Sequence, residues 1–154
     1  MRTAVLVASL LAFVGSTEAA KKPTPKARFE RVAEGIKDNA QKLIWAKADN
    51  GKNIGWVDAK QYCAGMGKRW KLPSGENLLS LYDASGKFVL ELDFNGTPYA
   101  LKPATRLIKF SGGGFWSDEQ NEYGVWGVNL ADGTRYTFRL DAINFTRALC
   151  VRAS

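Results

Sequence analysis

Two cysteines, Cys63 and Cys150, constrain the fold of this chain more than any other feature of its sequence. No third cysteine occurs among the 154 residues, and more than half of the chain lies between the two. In an oxidising compartment, an isolated pair of this kind most often forms one structural disulfide. The alternative is a free reactive thiol, although activating a thiol usually requires a histidine and this sequence contains none. The choice between the two depends on whether the chain is exported.

Residues 1–19 have the layout of a secretory signal peptide. Arg2 is the only charge before a largely apolar run over residues 4–14, and small and polar residues follow it. A run of this length is too short to span a bilayer comfortably, and no later stretch is longer. We therefore expect cleavage after Ala19, export to the periplasm or the extracellular space, and no transmembrane segment afterwards. A retained membrane anchor is the alternative.

The sequence predicts a single domain over residues 28–154, preceded by a linker over residues 20–27. The linker contains two prolines and three lysines, a composition that neither continues a helix nor buries apolar surface. The rest has the length of an ordinary domain. Because the whole chain is 45% hydrophobic and 12% aromatic, there is enough apolar surface for a core.

The chain is basic, with 22 lysines and arginines against 15 aspartates and glutamates, a net charge of +7. Removing residues 1–19 takes away one charge of each sign, Arg2 and Glu18, so the mature protein keeps the same balance. An exported basic protein can meet an anionic glycan or a membrane surface, whereas export argues against a nucleic-acid partner. The alternative is a surface charge that only maintains solubility.

Two helices are predicted in the middle of the chain. The first, over residues 56–66, has apolar residues at spacings of three and four and glycines at its end: Trp56, Ala59, Cys63 and Met66, then Gly65 and Gly67. The second is opened by Pro73 and Ser74, with Ser74 as its N-cap. Its buried stripe is formed by Leu78, Leu81 and Tyr82. Cys63 is therefore expected to face the core.

A β-hairpin with one buried face, formed by its alternating apolar residues, is predicted over residues 125–140. Apolar residues alternate on both sides of a turn at Asp132-Gly133: Trp126, Val128 and Leu130 before it, Tyr136, Phe138 and Leu140 after it. A final strand over residues 148–152 would carry Cys150. Periodicity does not organise the Gly-rich region between the second helix and this hairpin, and long irregular regions are often functional.

Short motifs spread along residues 28–152 resemble, in their order, the bacterial Lcl C-terminal domain family, once catalogued as DUF1566. The similar residues are Leu43-Ile44-Trp45, Ala59, Tyr62-Cys63, Gly67, Trp70, Leu72-Pro73, Leu78, Phe115-Trp116-Ser117, Trp126, Val128, Asp132-Gly133, Arg147 and Cys150-Val151-Arg152. The resemblance implies an α+β, C-type-lectin-like fold with two helices packed on mixed antiparallel sheets. It also implies a disulfide between Cys63 and Cys150, and core positions for Trp116 and Trp126.

The resemblance changes one interpretation and exposes three departures. Phe29, Val32, Ala33 and Ile36 fit a helical stripe, whereas the family has an opening β-hairpin there, which we adopt. Asn77 stands where the family usually has Glu, so the capping box of the second helix is expected to be incomplete. Lys71 replaces an arginine, and Asp118 replaces a serine.

The candidate ligand site lies in the irregular region, roughly residues 95–123, because in such scaffolds the long loops carry recognition. It comprises rings on which a sugar or a partner side chain could rest, with cations beside them: Tyr99, Lys102, Arg106, Lys109 and Tyr123. A secondary basic rim, Lys68, Arg69 and Lys71, surrounds Trp70. The alternatives are rings that only cover the sheet and cations that are scattered or solvated.

The sequence contains no nucleophile–base signature, so we expect no enzymatic activity and no cofactor. The calcium loops of lectins with this fold are missing, and clustered oxygen ligands occur only at Asp118, Glu119, Asn121 and Glu122, so no metal site is predicted. The expected function is an adhesin-like binding module for an envelope or extracellular glycan or protein. The alternative is a periplasmic inhibitor or immunity-type protein that binds an enzyme.

Overall fold

Residues 27–86, 88–90, 99–142 and 146–154 are described by a computed structural model, with the backbone alone at residues 88–90 and 99. The predicted signal peptide, and the predicted linker up to residue 26, lie outside the described residues. The elements in chain order are β1 Phe29–Arg31, β2 Ile36–Asp38, β3 Leu43–Trp45, α1 Trp56–Gly65, α2 Gly75–Leu79, β4 Phe88–Leu90, β5 Tyr99–Leu101, β6 Gly114–Asn121, β7 Gly124–Asn129, β8 Thr134–Phe138, β9 Thr146–Arg147 and β10 Val151–Ala153.

The first sheet joins the two ends of the domain. Its strand order is β1-β2-β3-β10, and all three pairings are antiparallel. The opening hairpin is confirmed, and the helical stripe through the same residues was misleading. Hydrogen bonds between Val32 and Gly35 close the turn, and Arg28 pairs with the fully buried carboxylate of Asp38 at 2.9 Å. A buried carboxylate with a bidentate guanidinium partner is well satisfied in this position.

Helix α1 is attached to the first sheet by the predicted disulfide. Cys63 and Cys150 are bonded, with their Cα atoms 5.4 Å apart and both side chains fully buried. Trp56 and Ala59 are buried on the same face, as the spacing predicted. Met66 is 40% exposed, so its predicted place on that face is wrong. Cys150 lies immediately before β10 rather than inside a strand over residues 148–152.

Helix α2 has a complete capping box, which corrects the expectation based on Asn77. The Ser74 hydroxyl accepts a hydrogen bond from the Asn77 amide at 3.1 Å, and the Asn77 side-chain oxygen accepts one from the Ser74 amide at 3.4 Å. The shorter amide side chain therefore reaches the same backbone donor that Glu or Gln usually serves. Leu78 and Leu81 are buried and Tyr82 is half-buried, consistent with the predicted stripe.

The second sheet contains the predicted hairpin, β7 and β8, and has the order β8-β7-β6-β9. It is mixed, because β9 pairs with β6 in parallel while the other pairs are antiparallel. Val128 and Leu130 are buried, but Trp126 is half-buried and lies outside the core, and Leu140 is 52% exposed. The predicted burial of Trp126 and Leu140 is therefore wrong.

One hydrophobic cluster connects these layers. It contains residues of the first sheet, of both helices and of the second sheet, including the fully buried Trp45, Cys63, Leu78, Trp116 and Val128. Trp116 therefore lies in the core, as the family resemblance implied. The described chain is an α+β domain with two helices, mixed sheets and one disulfide. Within the described residues, neither helix has the length and apolar composition needed to cross a membrane.

Candidate functional site

A bulge in β6 holds both helices against the second sheet. The pairing of β6 with β7 shifts register between Trp116 and Gln120, which frees the backbone of residues 117–119 for other partners. The Trp56 indole donates to the carbonyl oxygen of Ser117 at 2.7 Å, and the Asp118 amide donates to the carbonyl oxygen of Pro73 at 2.8 Å. The bulge, near the base of the hairpin formed by β6 and β7, therefore contacts α1 and the residues that lead into α2.

Glu119 and Arg135 extend this docking to the outer strand β8. The Glu119 carboxylate accepts a hydrogen bond from the Gly75 amide at 2.8 Å and pairs with Arg135. Arg135 also lies 3.2 Å from Glu76 and places its guanidinium 5.0 Å from the centre of the Trp126 ring. A guanidinium stacked on an indole explains why Trp126 is half-covered without entering the core.

A tight turn at the other end of the β6–β7 hairpin exposes Tyr123. The Asn121 side-chain oxygen accepts hydrogen bonds from the amides of Tyr123 at 2.9 Å and Gly124 at 3.1 Å. Gly124 has a φ of +147°, and a Cβ there would overlap the carbonyl oxygen of Phe138. The turn therefore requires glycine at this position. It leaves Tyr123 76% exposed, on a backbone fixed by local hydrogen bonds.

Beside Tyr123 lies an open groove of about 450 Å³, between the tip of the hairpin and the chain that follows β8. Its lining residues are Gln120, Asn121, Glu122, Tyr123, Gly124, Val125, Arg139, Leu140 and Asp141. Leu140, 52% exposed, contributes apolar surface next to Tyr123. Arg139 and Asp141 form a solvent-exposed ion pair at 3.3 Å. The tip groove, as we call it, therefore combines a ring, an apolar side chain and several polar groups.

Of the candidate residues predicted from sequence, Tyr123 lines the tip groove and Lys102, Arg106 and Lys109 do not. Lys102 and Lys109 lie on a segment whose backbone is hydrogen-bonded to other parts of the domain. The Lys102 amide donates to Leu130 at 2.9 Å, and the Lys109 amide donates to Lys47 at 2.9 Å. Arg106 is exposed on the same segment. The side chain of Tyr99 lies outside the described residues.

The chain next to Lys102 carries a perturbed carboxyl group. Hydrogen bonds from the side chain and then the backbone of Ser85 hold the pKa of Asp83 below its usual value. The Gly86 amide donates to the carbonyl oxygen of Asp83 at 2.8 Å and closes a local turn, and the Asp83 amide donates to the carbonyl oxygen of Lys102 at 2.7 Å, which joins this turn to the chain after β5. This arrangement orders the chain after α2 and lies apart from the residues that line the tip groove.

The model of the family described as the Lcl C-terminal domain matches residues 34–152. The chain belongs to the Lcl C-terminal domain family. The resemblance seen in its scattered motifs is thereby confirmed, and the matched region includes both helices, both cysteines and both faces of the tip groove. No curated protein and no solved structure matches the chain.

In this Lcl C-terminal domain, the side of the tip groove that is formed by the chain after β8 was not predicted from the sequence. Arg139, Leu140 and Asp141 follow the end of β8 at Phe138. The period of two placed Leu140 inside the core, but the alternation ends with the strand. A cluster of charged residues around an apolar residue, just past a strand, was the signal available.

The basic rim around Trp70 differs from the expected arrangement. Trp70 packs partly against the core, and the guanidinium of Arg152 lies over its ring, 5.8 Å from the ring centre. Lys71 lies 3.8 Å from Asp118 at the bulge. Lys68 and Arg69 are exposed beside it. One of the three cations of the rim, Lys71, therefore already has an anionic neighbour within the domain.

The acidic segment over residues 118–122 is not a solvent loop, because residues 118–121 belong to β6. Glu119 is held by Arg135 and Gly75, and the Asn121 side-chain oxygen closes the tip turn. In the part of the chain that the structure describes, no group of three or more histidine, cysteine, aspartate or glutamate side chains is arranged to hold a metal ion.

Proposed function

We propose that this Lcl C-terminal domain is a non-catalytic, adhesin-like binding module of an exported protein, and that the tip groove recognises an extracellular or cell-envelope ligand. The observation that carries the proposal is Tyr123, 76% exposed at a turn held rigid by Asn121 and Gly124. An exposed ring on a fixed backbone gives contact area at a small entropic cost of ordering. The C-type-lectin-like architecture implied by the family resemblance is part of the same proposal.

Export is supported by two features of the chain. A disulfide that ties α1 to the start of β10 is stable in an oxidising compartment and rare in a reducing one. The apolar layout of residues 1–19 is typical of a secretory signal peptide. Both features fit a mature protein in the periplasm or outside the cell.

Binding is favoured over catalysis because the side chains most often used for nucleophilic catalysis, histidine and free cysteine, are missing from this protein. The sequence has no histidine, and both cysteines are consumed by the disulfide. The tip groove is open to solvent, whereas catalytic sites usually exclude water. An inhibitor that plugs an enzyme would be expected to project a long loop, but Glu122 and Tyr123 alone connect β6 to β7 at this surface.

The test is binding of the mature protein, with its disulfide intact, to a glycan array and to immobilised envelope enzymes. We expect the Tyr123→Ala variant to lose about tenfold in affinity for the ligand so found, the loss typical of an aromatic anchor. Tyr62→Ala is the matched control, because Tyr62 is also exposed but lies on α1. Equal affinities of the Tyr123→Ala variant and the wild type would refute the proposal.

The basic residues predicted from sequence are tested in the same assay. If they contribute, replacing Arg106 and Lys109 with Ala should weaken binding and flatten its salt dependence without unfolding the domain. A loss of binding in this variant, with no loss in Tyr123→Ala, would move the site to the segment before β6.

A further inference from the structure

The tip groove has a polarity that identifies the class of its ligand, and this inference rests on the proposed function of that groove. We infer that the ligand is an uncharged saccharide, with the apolar face of one sugar ring stacked on Tyr123 and its hydroxyl groups bonded to the surrounding polar side chains. Tyr123 and Leu140 together supply the apolar contact, at exposures of 76% and 52%.

The polar lining offers both donors and acceptors of hydrogen bonds. Asn121 uses its side-chain oxygen to close the turn, so its NH₂ group is the part of this side chain that can donate to a ligand. Gln120 supplies both a donor and an acceptor, and Glu122 supplies acceptors alone. Each sugar hydroxyl also donates and accepts, so neighbouring hydroxyls match a mixed lining of this kind. A lysine or arginine side chain of a protein partner would satisfy the acceptors and leave the donors unpaired.

The charge of the groove argues against an anionic ligand, despite the net charge of +7 for the whole chain. Among the described residues that line the groove, Arg139 is the one cation, and its Nε lies 3.3 Å from Asp141. Glu122 and Asp141 contribute two carboxylates, so the lining carries one more negative charge than positive. A sulfate or carboxylate group would meet this excess at close range, where repulsion is felt most strongly.

The size of the groove fits part of a glycan chain. Its volume of about 450 Å³ lies within the range of small-ligand sites, and it is open along one side. An open groove accepts one or a few rings of a longer chain whose ends continue into solvent. A polysaccharide of the envelope or of an extracellular surface would be bound in this way.

The experiment measures binding of the mature wild-type protein to immobilised neutral glycans and to their sulfated forms, for example dextran with dextran sulfate, and chitin oligosaccharides with sulfated ones. We expect binding to a neutral member that changes less than about twofold when the salt is raised from about 0.05 to about 0.5 M. Tyr123→Ala should weaken it about fivefold to tenfold, while Tyr123→Trp retains it. Tyr62→Ala again serves as the matched control.

Each result has one interpretation. Binding to sulfated forms alone, with a steep salt dependence, or to no glycan of the panel, overturns the neutral-saccharide inference. If Tyr123→Ala still weakens binding to a sulfated glycan or to an envelope protein, the groove remains the site and the proposed function stands. If binding to every ligand is unaffected by Tyr123→Ala, the inference and the proposed function both fail.

Discussion

Opening the Cys63–Cys150 disulfide should remove a large part of the stability of this domain. The two cysteines are 87 residues apart, and the chain-entropy model assigns a loop of that length about 4 to 5 kcal/mol at 25 °C. Domains of this size are commonly stable by only about 5 to 15 kcal/mol. Both sulfur atoms are also fully buried, so a Cys63→Ala/Cys150→Ala variant loses their packing as well. We expect this variant to be barely folded at room temperature.

The measurement is urea unfolding of the mature protein followed by tryptophan fluorescence, for the oxidised wild type, the reduced wild type and the double variant. Because the bond restricts the unfolded chain, opening it should lower the free energy of unfolding and raise the m-value. Reductant added to the double variant is the control and should change nothing. A loss below about 1 kcal/mol, with an unchanged m-value, would contradict the entropic account.

Three further predictions concern the second sheet and the chain after α2. Gly124→Ala should cost at least about 2 kcal/mol of stability, because its φ is +147° and a Cβ would overlap the carbonyl oxygen of Phe138 at the end of β8. Gly51→Ala, at φ +75° with open space around it, is the control without a steric overlap, and equal losses would contradict the steric argument. Glu119→Gln should lower thermal stability, since Arg135 loses an ionic partner while the Gly75 amide keeps an acceptor, and an unchanged melting temperature would show that the pair is neutral. The lowered pKa of Asp83 stabilises the fold above the pKa of the unfolded chain, and this contribution is lost as the pH falls through the folded pKa, so Asp83→Asn should flatten the acid limb of the stability curve; an identical limb would contradict it.

The predictions that succeeded were local or covalent. Spacing identified both helices, Ser74 was recognised as the N-cap, and the turn at Asp132-Gly133 positioned the hairpin of β7 and β8. Each depends on residues close in sequence, where periodicity and turn chemistry apply directly. The disulfide could be predicted because the chain offers one pairing only. The opening hairpin required the family resemblance, because its apolar spacing also fits a helix.

The predictions that failed depend on which element covers a given face. Trp126 and Val128 alternate along β7, but Val128 is fully buried, whereas Trp126 is half-buried beneath the guanidinium of Arg135 from the neighbouring strand. A period of two identifies the face and does not show how far along the strand that face is covered. The expectation of an incomplete capping box failed for a different reason. The rule names Glu or Gln at this position, but the shorter side chain of Asn77 also accepts a hydrogen bond from the N-cap amide.

The location of the tip groove follows from how the hairpin of β6 and β7 is used along its length. Near its base, the bulge gives backbone groups to both helices, and Ser117 is held by Trp56 on the helix that the disulfide fixes. Toward the turn, the hydrogen bonds are local, because the Asn121 side-chain oxygen accepts them from the backbone amides of Tyr123 and Gly124. Groups at the tip are therefore not needed for docking, and a ring placed there can remain exposed. Because the turn is closed by its own residues, the shape of the groove depends on Asn121 and Gly124 as well as on Val125, the core residue that lines its floor side.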